Sequence, residues 1–417
     1  MEYGCIAEKL SHSFSKEIHN HLFDYKYELK EIPKGELDAF MAERNFKAIN
    51  VTIPYKQDVI PHLDSISDIA KKIGAVNTIV NDNGILKGYN TDFQGMCALI
   101  KRAGISLENK KVLILGSGGT SKTAKVVAEF LGCKEVYKVS RSANDHRITY
   151  EEALSVHGDA EIIINTTPVG MYPNIGNAPI DVNAFDNLEA VVDAVYNPLR
   201  SKLVCDALEK GIKATGGLYM LVAQAAYAAE KFTYETVSEE TIEKVYRNMV
   251  NTKQNIVLIG MPGCGKSTIG KLLAQETGHK FIDTDEEIVK KIGKTIPDIF
   301  AEVGESGFRK IESEVIKEIS SVQNAVIATG GGAVLNKDNV RSLKENGRIY
   351  FIDRSLDKIA ATSDRPLSSN RTDLEKRYNE RYGIYVSSCD RHIKAGDIAF
   401  DNMNIIKKDF YNEYTCD

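Results

Sequence analysis

The sequence predicts an α/β protein built from two separate nucleotide-binding domains, and three observations carry that prediction. GSGGTSK at Gly116–Lys122 follows the apolar run Lys110–Leu115, and GMPGCGKS at Gly260–Ser267 follows the apolar run Asn255–Ile259. Each glycine loop is entered from a buried strand, the context that separates a phosphate loop from an ordinary turn. The third observation is length. The chain has 417 residues, whereas single hydrophobic cores stop growing near ~250 to 300 residues.

The first loop leads into residues 120–130, where the spacing of Ala and Val suits a helix packed on a sheet. Strand, glycine turn and helix predict a Rossmann-like dinucleotide-binding domain. Gly116 makes the tight turn and Gly118 lets the backbone approach a pyrophosphate. Gly119 and Thr120 open the helix, whose N-terminus presents a positive dipole end. The next strand, Val136–Val139, ends in Ser140-Arg141-Ser142, where an NAD-binding domain carries an acid for the ribose hydroxyls. Arginine there suits a 2′-phosphate, so NADP(H) is expected; the plainer reading of Arg141 is a solvated surface charge.

The second loop fits GxxxxGKS at Gly260, Gly265, Lys266 and Ser267, which predicts a P-loop domain on a parallel sheet, binding ATP or GTP. Backbone N–H groups around Gly263 and Gly265 face phosphate oxygens, and Lys266 brings charge to the outer phosphates. Ser267 and Thr268 continue into the helix, with the Ser267 hydroxyl placed to hold Mg²⁺. In Phe281-Ile-Asp283-Thr-Asp285 the two carboxylates alternate after a strand. Extended backbone would aim both to one side, an arrangement suited to a metal and a substrate hydroxyl.

Composition excludes other classes. A net charge of -5 gives no electrostatic footprint for nucleic acid. Seven cysteines without CxxC pairs point to reduced thiols rather than a disulfide framework or metal cage. Met1–Ile6 lacks the basic and apolar regions of a signal peptide, and no apolar run approaches the ~18 residues of a membrane span. A soluble, cytoplasmic protein without a membrane partner is expected. The helix expected over 218–230 is apolar but short, and it carries Gln224. Expected boundaries are a substrate lobe over 1–90, the dinucleotide domain over 91–215 and helices over 216–250 that return to the first lobe. A short linker at 251–254 and the P-loop domain over 255–417 follow.

The first lobe carries polar clusters that a purely structural domain does not need: Ser11-His-Ser13-Phe-Ser15, Asn50-Val-Thr52-Ile-Pro-Tyr-Lys56, Gly74-Ala-Val-Asn77-Thr78 and Gly88-Tyr-Asn90-Thr91-Asp92. These clusters, followed by INTTPVGM at Ile164–Met171 and DAVYNP at Asp193–Pro198, resemble the shikimate dehydrogenases from about Tyr3 to Gln224. The matched motifs are HSxS, NVTxPxK, GAxNT and GxNTD. The resemblance implies reduction of 3-dehydroshikimate to shikimate, with Lys56 as proton donor and Asp92 orienting it. It also implies that Ser13 and Ser15 hold the substrate carboxylate, that Thr52, Asn77 and Gln224 bind ring hydroxyls, and that Gly217 lies against the cofactor. Hydride addition to a ketone leaves negative charge on oxygen, which a neighbouring lysine relieves. Without its motif, Lys56 would read as an exposed surface lysine, and Asn90 or Asp92 as a helix cap.

The chain departs from this family at Ala7, Lys9 and Lys16, where GxIGxPxxHSxSP has Gly, Pro and Pro, and at Tyr219, where GLGML has Gly. These changes are expected to affect loop stiffness more than chemistry. Asp145 stands where a second arginine often follows Arg141.

The second half carries GESGFRKIE at Gly304–Glu312, Gly330-Gly331-Gly332, Arg365-Pro-Leu367 and Glu380-Arg381-Tyr-Gly-Ile-Tyr385. With the P-loop and Asp283-Thr-Asp285, these motifs resemble the shikimate kinases over 255–393. The resemblance implies that Asp285 binds and polarises the attacking hydroxyl while Asp283 and Ser267 hold Mg²⁺. Arg309 and Arg381 would clamp the shikimate carboxylate, with the bidentate geometry that lysine lacks. Gly331 and Gly332 would let substrate approach the backbone, and Arg365 would reach the transferred phosphate from a lid.

Together the resemblances imply a bifunctional enzyme acting on two small molecules, 3-dehydroshikimate and shikimate, with NADP(H), ATP and Mg²⁺. Two other readings stay open: a reductase preferring quinate or NAD, and a kinase-like half that senses ATP or shikimate without turnover. Oligomeric state is not legible in the sequence.

Overall fold

The computed structural model describes residues 1–10, 14–144, 146–359 and 371–412, apart from the side chains of Arg371, Asp373 and Asn412. The chain divides into two compact units, one of Met1–Asn197 and Leu203–Met249, the other of Pro198–Lys202 and, among the described residues, 250–412.

The first unit holds two six-stranded sheets. In one, Tyr27–Glu31, Tyr3–Ala7 and Ala48–Val51 run parallel, and Thr78–Asp82 then pairs antiparallel with Ala48–Val51 and with Ile85–Tyr89. The hairpin turns on Asn83-Gly84, with φ of 54° and 92°, the positive dihedrals for which Asn-Gly is selected. Ile6, Ile49, Val51, Ile79 and Leu86 from these strands bury together with Leu37 and Met41.

The other sheet is parallel throughout, in the order Lys213–Thr215, Ala190–Asp193, Ile162–Asn165, Lys111–Leu115, Glu135–Ser140, Ile148–Thr149. This is a doubly wound sheet. The chain reverses its winding between Lys111–Leu115 and Ile162–Asn165, and ligands of such sheets lie outside the carboxyl ends of the strands at that reversal.

Helices Asp92–Arg102 and Leu218–Thr233 cross at close quarters. A Cβ on Gly95 would stand 2.7 Å from Met220 O and 2.9 Å from Gln224 Cβ, so only glycine admits the approach that brings Asp92 and Gln224 to one cleft. Farther along the second of these helices, Ala228 and Phe232 pack against Cys5, Tyr27, Ala48 and Val80 of the first sheet. Tyr219, a departure from the family pattern, packs its ring on Arg102, 5.0 Å from the guanidinium, and on Tyr246 at 5.3 Å. It serves packing.

The second unit has one parallel five-stranded sheet, in the order Lys280–Asp283, Ala325–Ala328, Asn255–Ile259, Gly347–Asp353, Arg391–Lys394. The phosphate loop leaves the central strand and enters helix Lys266–Thr277. Ile256, Val257, Leu258 and Ile259 are buried on both faces of the sheet, as a strand covered on both sides requires.

Two expectations change. Helix Glu239–Lys253 continues through most of the stretch read as a linker at 251–254, because its polar residues still complete the last turn. Asp285 is not a strand residue: the strand ends at Asp283, which caps helix Thr284–Ile292 by accepting from Asp285 N. An aspartate at a strand end competes for the first free N–H groups of the next helix, and here it wins. Among the described residues no helix is long and apolar enough to cross a membrane.

Candidate active sites

A cleft of about 510 Å³ opens at the winding reversal of the first unit. Its walls include Ser15, Thr52, Lys56, Asp92, Thr120, Gly217 and Gln224. Lys56 Nζ donates to Asp92 Oδ2 at 2.5 Å, with the two side chains only 17% and 10% exposed. Asn90 Oδ1, not Asp92, accepts from Phe93 N and caps the helix, which leaves the Asp92 carboxylate free to hold Lys56.

Asn77 lies behind the cleft, 2% exposed. Its Oδ1 accepts from Thr91 N at 2.8 Å, and its Nδ2 donates to Thr91 Oγ1 at 3.1 Å and to Gln224 Oε1 at 3.4 Å. It therefore orients Gln224 rather than facing the cleft itself. Asn50 extends the same buried chain, accepting from Tyr27 and donating to Thr78. Ser13 lies outside the described residues, as does Asp145.

At the glycine loop, Gly116 has φ 115°, and a Cβ there would stand 2.6 Å from Thr166 Oγ1. Nothing lies within 4 Å of a Cβ on Gly118 or Gly119, so the helix N-terminus is open to an incoming phosphate. Gly217 backs onto Ala194 too closely for any side chain. Ser140 donates its hydroxyl to Ser142 O at 2.6 Å and shapes the turn, whereas Arg141 is exposed beyond it. The carboxyl ends of strands Ile162–Asn165 and Ala190–Asp193 are tied by a buried bond from Asn165 Nδ2 to Asp193 Oδ1 at 2.8 Å. Asn165 sits within INTTPVGM and Asp193 begins DAVYNP, and their bond forms only once the two strands pair.

The second unit carries a cavity of about 560 Å³ lined by Gly263, Gly265, Lys266, Ser267, Thr268, Asp283, Asp285, Arg309, Gly331, Gly332 and Arg381 among others. Lys266 is 8% exposed and donates to Gly260 O and Met261 O at 2.9 Å each. Ser267 Oγ donates to Asp283 Oδ2 at 2.7 Å. Among the described residues no group of three or more acidic, histidine or cysteine side chains is arranged to hold a metal ion by itself. One hydroxyl and one carboxylate fit Mg²⁺, which keeps waters and phosphate oxygens as its other ligands.

Arg309 Nη1 donates to Glu312 Oε2 at 2.7 Å, Arg381 Nη1 to Gly331 O at 3.1 Å, and Tyr385 Oη to the same carbonyl at 2.5 Å. A side chain on Gly332 would collide with the Arg309 guanidinium. Gly304, at φ 69°, kinks the helix that carries Arg309. Glu312, which ends the GESGFRKIE motif and carries no role in the resemblance, is 1% exposed. Its Oε1 has no hydrogen-bond partner, and burial pushes its carboxyl up, opposed by Arg309 and Arg381. Burial, then Asp283 and Glu312, push Asp285 up to about 6 against Lys266 and Arg309. Arg365 lies outside the described residues.

A family model described as shikimate dehydrogenase substrate binding domain matches residues 5–79, and one described as shikimate kinase matches residues 262–405. A relative named shikimate dehydrogenase (NADP(+)), from Clostridium beijerinckii, is 42% identical over 245 residues, 55% of this chain and 90% of its own. The crystal structure of shikimate dehydrogenase 1 from Peptoclostridium difficile is 34% identical with a TM-score of 0.55, over 60% of this chain and 98% of that one. The Thermus thermophilus enzyme in complex with NADP(H) and shikimate is 28% identical with a TM-score of 0.54, over 60% of this chain and 99% of that one. The chain thus belongs to the shikimate dehydrogenase family, with a shikimate kinase domain following in the same polypeptide.

Proposed function

We propose that this chain is a bifunctional enzyme: its first unit reduces 3-dehydroshikimate to shikimate with NADPH, and its second phosphorylates shikimate with ATP. The observation that carries the proposal is the pairing, in one polypeptide, of a Lys56–Asp92 couple in a dinucleotide cleft with a P-loop cavity holding Asp285, Arg309 and Arg381.

In reduction, NADPH supplies the hydride. The carbonyl π electrons move to oxygen as the carbon takes the hydride, and Lys56 gives its proton to that oxygen. Asp92 fixes the ammonium group in place, while Thr52 and Gln224 face the substrate hydroxyls and Asn77 holds Gln224. The helix N-terminus at Gly118–Thr120 supports binding of the cofactor pyrophosphate. Arg141 sits at the end of the second parallel strand, suited to the 2′-phosphate. Arg141→Ala is expected to raise KM for NADPH about tenfold, the weight of a charged hydrogen bond, and to leave KM for NADH unchanged. Equal changes for both cofactors would contradict this role.

In phosphorylation, Asp285 accepts the proton of the attacking hydroxyl as its oxygen bonds to the γ-phosphorus and ADP departs with the bridging oxygen. Mg²⁺ held by Ser267 and Asp283 would neutralise phosphate charge. Arg309 and Arg381 bind the carboxylate, and Lys266 leaves its loop carbonyls for the phosphates. Asp285, pushed up to about 6, makes a base near the working pH. Phosphorylation kcat/KM is therefore expected to fall about tenfold per pH unit below about pH 6 and to level off above it.

The stability effect runs the other way. Because the folded-state pKa is raised, the ionised carboxylate burdens the fold at neutral pH; that burden fades as pH falls through about 6 and is gone below the ordinary value of 3.8. Asp285→Asn is expected to abolish phosphorylation yet raise the melting temperature of the second unit at pH 7.5, by up to about 3 kcal/mol in stability, and not at pH 4. The two halves are tested separately by shikimate oxidation with NADP⁺ and shikimate phosphorylation with ATP; absence of either removes that half of the proposal.

A further inference from the structure

Lys9, one of the departures read as a matter of loop stiffness, stands on the wall of the reductase cleft beside Leu10, Ser15, Thr52 and Lys56. It follows strand Tyr3–Ala7, whose C-terminal end feeds the cleft. The loop is pinned just after it by Leu10 N donating to Glu31 Oε1 at 2.8 Å.

Among the described residues, the charged ones lining the cleft are Lys9, Lys56 and Asp92. Lys56 and Asp92 neutralise each other across 2.5 Å. Lys9 makes no ion pair among the described residues, so among the described lining residues it leaves the cleft with a net positive charge. A lysine on the wall of an open cleft without an ion-pair partner there suits an anionic ligand. Lysine is also a compact charge on a flexible stem, able to reach a carboxylate held by neighbouring hydroxyl groups. The neighbours of Lys9 on the wall, Ser15 and Thr52, come from the substrate lobe, whereas the pyrophosphate-binding loop at Gly116–Thr120 belongs to the other sheet.

We propose that Lys9 forms an ion pair with the substrate carboxylate and thereby sets the preference of this reductase for the acid over its neutral derivatives. The inference rests on the reading of this cleft as the site of 3-dehydroshikimate reduction. Proline at this position offers no charge, so the departure adds an electrostatic contact that hydroxyl groups alone do not provide.

The test uses the full chain and compares shikimate with shikimate methyl ester, each as substrate with NADP⁺ and as competitor of 3-dehydroshikimate reduction. Lys9→Gln is expected to weaken binding of the acid about fivefold at low ionic strength, the range of a solvent-accessible ion pair. The loss should shrink in 0.5 M salt, where such a pair is screened. Binding of the ester and of NADP⁺ should not change, and Lys9→Arg should restore most of the preference for the acid. Equal weakening of acid and ester, no weakening of either, or a loss confined to NADP⁺ would overturn the proposal. A wild-type chain that turns over neither shikimate nor 3-dehydroshikimate would instead remove the reading on which it rests.

Discussion

Replacing Lys266 with alanine is expected to lower shikimate phosphorylation by about a thousandfold or more while NADPH-dependent reduction by the same chain continues at its wild-type rate. Phosphoryl transfer relies on positioning and on neutralising charge, and a cation in a water-poor cavity is worth far more than in bulk solvent. Lys266 is nearly buried and its ammonium is already desolvated against Gly260 O and Met261 O, so little reorganisation separates its resting place from the phosphates. Its removal also leaves two carbonyl oxygens without that donor, at about 1 kcal/mol each. A modest drop in the melting temperature of the second unit is therefore expected beside the loss of turnover. Phosphorylation that survives in a folded Lys266→Ala chain would contradict the role given to this loop.

The second large effect is at Lys56. Lys56→Met is expected to reduce 3-dehydroshikimate turnover by about a hundred- to ten-thousandfold, the weight of a positioned proton donor. The same change strips Asp92 of its partner and leaves a carboxylate largely buried without a countercharge, which destabilises the unit. The double variant Lys56→Met, Asp92→Asn separates the two consequences: it should regain thermal stability and regain no activity. Recovery of turnover with stability would mean that the pair is structural.

The difference between what the sequence reveals and what it hides follows from the range of the interactions. Both phosphate loops, the strands feeding them and the helices leaving them are local features, encoded within about a dozen consecutive residues, and the winding of the parallel sheets follows from that order. The extended backbone expected through Asp285 gives way to a helix because, in sequence, alternation after a strand is indistinguishable from a strand end followed by a cap. Asn77 and Asn50 carry the polarity of site residues, but their partners, Gln224 and Tyr27, lie far away in the chain, so their role as buried supports emerges only when the helices and sheet assemble. Glu312 was passed over for the same reason: its proximity to Asp285 and Arg381 depends on the kink at Gly304 and on the fold around Gly330. Lys9 shows the opposite case, a residue judged by the flexibility of its loop when the wall it stands on is a cleft.

One experiment addresses the central claim most directly. The purified full chain is given 3-dehydroshikimate, NADPH, ATP and Mg²⁺, and nicotinamide absorbance is followed together with shikimate 3-phosphate. The account predicts that NADPH is consumed and shikimate 3-phosphate appears in matching amount, with shikimate passing through as the intermediate. Consumption of NADPH with shikimate accumulating and ATP untouched would contradict it, and would make the P-loop unit a sensor rather than a kinase.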